Sequence, residues 1–195
     1  MSRPDRAVLL TPGAGADRNQ SALVAIERAL APDVPVERMD FPYRREGRRA
    51  PDRPPILVRA VRAGAAALGA IHGLAPNRLV LGGRSMGGRM CSMAVADGLP
   101  ALGLALVSYP LHPPGKPERA RTEHFPSLAV PCLFVSGTRD AFGRPDELEA
   151  ATAAIAGPVT HVWIEGGNHG LRGKDAEVAS AVREWVVSLA PRLRG

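Results

Sequence analysis

The chain has 195 residues and a formal net charge of +6, from 25 basic and 19 acidic side chains. Its length allows one substantial core but not two comfortable domains, so we expect a single domain over residues 1–195. Apolar residues make up 45% of the chain and aromatic residues only 4%, so the core must consist mainly of Ala, Leu, Val and Ile. Such a core suits parallel strands that are buried on both faces.

The charge pattern and the cysteine content exclude several classes of protein. The arginines between Arg44 and Arg53 lack interleaved aromatic residues apart from Tyr43, so a solvated loop explains them better than nucleic-acid binding does. Two cysteines, Cys91 and Cys132, are too few for a disulfide framework, and no stretch approaches membrane-spanning length. We therefore expect a cytoplasmic protein with no nucleic-acid or membrane partner. The sequence does not indicate its oligomeric state.

Patterns typical of strands and of helices alternate along the chain. The predicted strands span 7–11, 34–39, 78–83, 103–109, 131–136 and 159–164. The predicted helices span 19–30, 55–72, 86–97, 145–156 and 174–190. This alternation predicts an α/β fold, a doubly wound and mainly parallel six-stranded sheet with helices on both faces. Prolines at 110, 113, 114, 117 and 126 interrupt the pattern and indicate an extended loop rather than a long helix.

The apolar run from Leu79 ends in Gly83-Arg84-Ser85-Met86-Gly87 and then becomes helix-like. A Gly-x-Ser-x-Gly sequence at a strand-to-helix turn is typical of a nucleophilic serine, because glycines on both sides allow a tight and strained turn. The alternative is that Ser85 is an ordinary residue at the start of a helix, where its hydroxyl would bond a backbone N–H.

A carboxylate and a histidine follow Ser85 in the chain order expected of its partners. Asp140 comes just after the strand predicted at 131–136, with Asp146 as a rival that fits better in the first turn of a helix. His169 lies in the glycine-rich loop after the last predicted strand. Because catalytic groups collect at the carboxyl ends of parallel strands, we expect Ser85, Asp140 and His169 to converge. The other histidines are expected to be structural or solvent-facing, with His112 the strongest exception.

The first strand leads into the small-residue loop Pro12-Gly13-Ala14-Gly15. Such a loop can bring a backbone N–H close to a ligand. In an acyl-transfer enzyme, the N–H groups of Ala14 and of Met86, which directly follows the serine, would form the oxyanion hole.

Together these motifs resemble the α/β-hydrolase superfamily from about Ala7 to Trp185. Within it the chain is similar to small dienelactone-hydrolase-like proteins, the bacterial relatives of a testis-expressed mammalian protein and of a histone-acetyltransferase complex subunit. The resemblance implies a minimal α/β-hydrolase fold without a helical lid, and a Ser-Asp-His triad. Pro12 departs from the many esterases that carry His before the oxyanion glycine, so the identity of that donor stays open.

The resulting hypothesis is a serine hydrolase of small carboxylic esters or thioesters that forms an acyl-enzyme on Ser85 and needs no cofactor. No His or Cys pair has the spacing of a metal site. Arg84, His112 and Phe142 are candidate substrate-binding residues. The basic groups expected near the site, which also include Arg89 and Lys116, favour small anionic acyl substrates. The alternative for Arg84 is that it packs against the sheet edge, away from Ser85.

Two other classes of function are weighed against this hypothesis. Gly13 and Gly15 after the first strand, with Asp40 after the second, resemble a dinucleotide-binding fingerprint, but Arg18 replaces its third glycine. The stronger alternative is a hydrolase-shaped binding or scaffold protein without turnover.

Overall fold

A computed structural model describes residues 4–31 and 33–189. Its centre is one sheet of six parallel strands in the order β2-β1-β3-β4-β5-β6. The strands are β1 (Ala7–Thr11), β2 (Val36–Arg38), β3 (Leu79–Arg84), β4 (Gly103–Val107), β5 (Cys132–Gly137) and β6 (Val159–Ile164). The sequence prediction of a doubly wound α/β sheet is confirmed, and every strand pair in it is parallel.

Within the described residues, six helices cover both faces of the sheet. They are α1 (Ser21–Leu30), α2 (Pro42–Arg45), α3 (Pro54–His72), α4 (Met86–Ala96), α5 (Pro145–Thr152) and α6 (Asp175–Ser188). Apolar residues of α1 and α6 pack with one face of the sheet, and those of α3, α4 and α5 pack with the other. β1, β3, β4 and β5 are buried almost throughout, which explains why their sequences read as continuous apolar runs.

The strand order places the site at the carboxyl ends of the central strands β1 and β3. From β1 the chain moves outward to β2, and from β3 it moves in the opposite direction, so the sheet reverses its direction of winding between these two neighbouring strands. Ligands bind at such a point, outside the carboxyl ends of the strands. The loops after β1 and β3 both begin at this point.

Several predicted boundaries shift for local reasons. The helix predicted from 19 begins at Ser21, because the Asp17 carboxylate accepts the Asn19 N–H (2.8 Å) and holds that segment in a turn. β4 ends at Val107 rather than at 109, because Ser108 has a φ of 47°. Helix α2 was not predicted, and the last residue of the helix predicted at 174–190 lies outside the described residues.

The segment between β4 and β5 forms a loop with two single turns of 3₁₀-helix, at Pro117–Arg119 and Phe125–Ser127. The expectation of a loop in place of a helical lid is therefore confirmed. The expectation that no stretch approaches membrane-spanning length is wrong for α3, which has 19 residues and a mean hydropathy of 1.3. Its apolar side chains Leu57, Val61 and Leu68 are buried in the core.

Candidate active site

Ser85 lies on a strained turn between β3 and α4. Its backbone has φ 50° and ψ −117°, and its N–H donates to the Val107 carbonyl oxygen (2.8 Å). Glycine is required on both sides: a Cβ at Gly83 would overlap Thr11 of β1, and one at Gly87 would lie 2.5 Å from the Thr11 carbonyl oxygen. The Ser85 hydroxyl makes no capping hydrogen bond to α4, so the alternative interpretation of this serine as a helix cap does not describe it.

The Ser85 hydroxyl bonds His169 instead. Ser85 Oγ is 2.9 Å from His169 Nε2, and His169 Nδ1 is 2.8 Å from Asp140 Oδ2. Asp140 is 1% exposed, whereas the His169 side chain is 22% exposed. With its proton on Nδ1, the imidazole can donate to Asp140 and accept the hydroxyl proton of Ser85 at Nε2.

Local contacts fix the acid and the ring. Asp140 Oδ1 accepts the Phe142 N–H (2.8 Å), as an Asp at a turn commonly does, while the carboxylate also faces His169. The Phe142 ring stacks on the imidazole, with 4.0 Å between the ring centroids and 27° between the planes. Asp146, the rival acid, lies in the first turn of α5, where it pairs with Arg144.

Arg84 turns towards the site. Its guanidinium donates to the backbone carbonyl of His169, and burial lowers the pKa of this side chain while Asp140 raises it. The alternative in which Arg84 packs away from Ser85 therefore does not describe this structure. The contact ties the end of β3 to the loop that carries the imidazole.

The loop after β1 is held by two side chains that the sequence analysis missed as site residues. Gln20 Oε1 accepts the Gly13 N–H (3.0 Å), and the Tyr43 hydroxyl donates to the Ala14 carbonyl oxygen (2.8 Å). The Gly13 N–H is therefore occupied. The Gly13 carbonyl oxygen accepts the Ala16 N–H (3.1 Å), which holds the peptide that carries the Ala14 N–H. Met86 is the first residue of α4, so its N–H has no acceptor within the helix.

These groups surround a cleft of about 630 Å³. Its volume falls within the usual range for small-molecule sites, roughly 300–1,000 Å³. Of the predicted residues, Ala14, Arg84, Ser85, Met86, Phe142 and His169 line it. Arg89 and Arg121 also line it, together with Gln20. In the part of the chain that the structure describes, no Asp or Glu is among the lining residues.

His112 does not line this cleft, contrary to the expectation that it contacts substrate. Its ring is buried, with Nδ1 2.8 Å from the Pro113 carbonyl oxygen and Nε2 3.3 Å from Glu147 Oε2. Lys116 is exposed and is not a lining residue either. Within residues 4–31 and 33–189, no group of three His, Cys, Asp or Glu side chains could hold a metal ion.

The alternative sites considered from the sequence have ordinary structural contacts. Asp40 Oδ1 accepts the Arg18 N–H (2.7 Å). In the basic cluster, Arg48 pairs with Glu46 (2.7 Å) and Asp52 (2.9 Å). Part of that cluster's charge is therefore neutralised locally, as expected of a solvated loop.

The parallel sheet, the strained serine turn and the bonded histidine and carboxylate together define an α/β-hydrolase type of site. Residues 4–188 match the alpha/beta hydrolase domain family. The chain therefore belongs to the α/β-hydrolase family.

Solved structures of low sequence identity share the fold. An alpha-beta serine hydrolase homologue from Coxiella burnetii is 18% identical, with a TM-score of 0.75 over 94% of this chain and 88% of that one. Est1E from Butyrivibrio proteoclasticus is 14% identical, with a TM-score of 0.77 over 96% and 89%. A dienelactone hydrolase from Anabaena variabilis is 17% identical, with a TM-score of 0.75 over 95% and 87%.

Proposed function

We propose that this protein is a serine hydrolase of small carboxylic esters or thioesters, with Ser85, His169 and Asp140 as its catalytic triad. The observation that carries the proposal is the hydrogen-bonded series from Ser85 Oγ to His169 Nε2 (2.9 Å) and from His169 Nδ1 to Asp140 Oδ2 (2.8 Å), at the wall of a cleft. The names of two structural neighbours, a dienelactone hydrolase and Est1E, support ester chemistry.

In the proposed reaction, His169 Nε2 takes the hydroxyl proton as Ser85 Oγ attacks the substrate carbonyl carbon. The tetrahedral intermediate collapses when the imidazolium returns that proton to the leaving alcohol or thiol, which leaves an acyl group on Ser85. Water, deprotonated by His169, then hydrolyses the acyl-enzyme. Asp140 keeps the proton on Nδ1 and stabilises the imidazolium in both halves of the reaction.

The oxyanion of each intermediate is bound in this proposal by the backbone N–H groups of Met86 and Ala14. Met86 N–H is free of helical bonding, and the hydrogen bond from the Ala16 N–H to the Gly13 carbonyl oxygen holds the peptide that carries the Ala14 N–H. One such donor contributes on the order of 3 kcal/mol to transition-state stabilisation. Neither a cofactor nor a metal takes part in this chemistry.

Labelling by a fluorophosphonate probe tests the proposal. We expect wild type to become covalently labelled at Ser85, Ser85→Ala to stay unlabelled, and Ser92→Ala to be labelled like wild type. Ser92 is the matched control because it lies within α4, the helix that follows Ser85, and its hydroxyl also bonds a histidine, His124. Intact-mass and peptide analysis locate the adduct. A folded wild type that never reacts would favour the alternative, a binding or scaffold protein without turnover.

We extend the proposal to a place among the small dienelactone-hydrolase-like proteins related to the testis-expressed and histone-acetyltransferase-complex hydrolase-like domains. The loop between β4 and β5, which takes the place of a helical lid, supports it. We also propose a single domain and a location in the bacterial cytoplasm. Two free and buried cysteines, Cys91 and Cys132, suit a reducing compartment.

A further inference from the structure

The three arginines of the cleft differ in their partners. The Arg84 guanidinium donates to the His169 carbonyl. The Arg89 guanidinium makes no hydrogen bond or ion pair within residues 4–31 and 33–189, and its Nε is buried without a partner. The Arg121 guanidinium donates to the carbonyl oxygen of Pro110 (3.2 Å) and pairs with no carboxylate in the described chain.

Arg89 lies one helical turn after the serine. Its backbone N–H donates to the Ser85 carbonyl oxygen (3.1 Å), so the two residues share one face of α4. Side chains on a helix lean towards its N-terminus, which directs Arg89 back over the turn that holds Ser85. Both residues line the cleft.

The loop after β4 holds Arg121 in place. The Arg121 N–H donates to the Leu111 carbonyl oxygen (2.8 Å), and the Tyr109 hydroxyl donates to the Arg121 carbonyl oxygen (2.8 Å). Tyr109 is buried and packs against Phe125 and Phe134. A binding group held in this way loses little conformational entropy when a ligand binds.

These two guanidiniums repel one another. Burial lowers the pKa of Arg121, and the charge of Arg89 lowers it further. Glu118 and Glu123 are the acidic residues of this loop, but both are exposed and neither lines the cleft. Partly buried positive charge without a partner is costly, and an oxyanion that accepts hydrogen bonds from both side chains relieves that cost.

We propose that Arg89 and Arg121 form an anion subsite beside Ser85 that binds the terminal oxyanion, a carboxylate or a phosphate, of a short ester substrate. The subsite rests on the proposed function for its role in turnover. Of the basic groups that we expected near the site from the sequence, the proposal keeps Arg89 and replaces His112 and Lys116 with Arg121, a residue of the same loop.

Matched esters test the subsite. The first set places the charge on the acyl side: methylumbelliferyl pentanoate is neutral, and methylumbelliferyl hemiglutarate carries a terminal carboxylate. The second set places the charge on the alcohol side: phenyl acetate is neutral, acetoxybenzoate carries a carboxylate and acetoxyphenyl phosphate carries a phosphate. The second set therefore separates carboxylate from phosphate. We expect wild type to prefer the anionic member of at least one set in kcat/KM. Arg89→Gln and Arg121→Gln should each lower that preference about 10- to 100-fold, as for loss of a hydrogen bond to a charged group. Arg119→Gln, an exposed arginine outside the cleft, is the matched control.

Equal kcat/KM for anionic and neutral esters in wild type would overturn the subsite. A loss of preference in Arg119→Gln as large as that in Arg89→Gln and Arg121→Gln would also overturn it. In both cases, labelling of Ser85 would leave the hydrolase proposal standing. If no ester turns over and the probe does not label, the hydrolase proposal fails. Calorimetry with glutarate and with inorganic phosphate then tests the subsite alone. The single variant Ser85→Ala should bind at least one of these anions, and the double variant Ser85→Ala, Arg121→Gln should bind neither. If the single variant Ser85→Ala binds neither anion, the subsite is refuted.

Discussion

Residues 4–31 and 33–189 contain two serine–histidine pairs with nearly the same geometry. Ser85 Oγ is 2.9 Å from His169 Nε2, and Ser92 Oγ is 2.8 Å from His124 Nε2. In the first pair, His169 Nδ1 bonds the Asp140 carboxylate, whereas in the second pair His124 lies near the charge of Arg89. Ser85 sits on a strained turn in the cleft, whereas Ser92 lies within α4, is 0% exposed and donates to the Arg89 carbonyl oxygen (2.9 Å).

The difference shows that a hydroxyl bonded to an imidazole is not by itself a nucleophile. Because the Ser92 proton is already donated to a helix carbonyl, its Oγ accepts from His124, and this pair joins the loop after β4 to α4. His124 has a pKa lowered to about 4, first by burial and then by Arg89, so it stays neutral. Of these two serines, Ser85 alone combines an oxygen free to attack, a histidine bonded to a carboxylate and an open cleft.

Removing the carboxylate or the imidazole should have the largest effect. We expect His169→Ala to lower kcat by on the order of 10⁶-fold, because a triad acts as a unit. Asp140→Asn should lower it by on the order of 10⁴-fold, because an amide no longer holds the proton on Nδ1. Ester hydrolysis and burst-phase acylation measure both effects.

The matched control for these variants is His124→Gln, which should retain turnover within about tenfold of wild type because its hydrogen-bonded serine is not the nucleophile. Near wild-type turnover by folded His169→Ala would remove this histidine from the mechanism. A loss in His124→Gln as large as that in His169→Ala would show that the two pairs had been distinguished wrongly.

The strained turn is the second difference between the two serines, and Gly87→Val should break it. A Cβ at Gly87 would lie 2.5 Å from the Thr11 carbonyl oxygen, so we expect a loss of about 3 kcal/mol in the free energy of unfolding. Ser85→Ala loses one hydrogen bond and should cost about 1 kcal/mol. Denaturant titration measures both losses.

Gly15→Val serves as the control for that substitution, because a Cβ at Gly15 meets no atom within 4 Å. We expect its unfolding free energy to stay close to that of wild type. Equal stabilities of Gly87→Val and Ser85→Ala would mean that the turn tolerates a side chain and that its glycines were misinterpreted.

The fold and the convergence of Ser85, Asp140 and His169 could be predicted because each depends on a local pattern. Strand-length apolar runs and glycine-rich turns set the sheet, and the chain order of the three residues follows from it. Gln20, Tyr43 and Arg121 could not be assigned, because their contacts with the cleft depend on how separate loops pack. His112 was misplaced for the same reason: its loop directs it towards Glu147, which no local pattern indicates.

The smallest predicted effect is on the stability of the second pair at acidic pH. In the folded protein His124 has a pKa of about 4, below its ordinary value of 6.5, so between these pH values the unfolded chain binds a proton that the folded chain does not. Stability should therefore fall as the pH drops from 6.5 towards 4. Because the ring is partly exposed, solvent screening reduces this loss to about 1–2 kcal/mol. His124→Gln, whose amide can still donate to Ser92, should lack this part of the loss. Denaturant titrations of both proteins at neutral pH and near pH 4.5 measure the difference; the same pH dependence in both would show that the folded protein binds the proton at His124 as readily as the unfolded chain does.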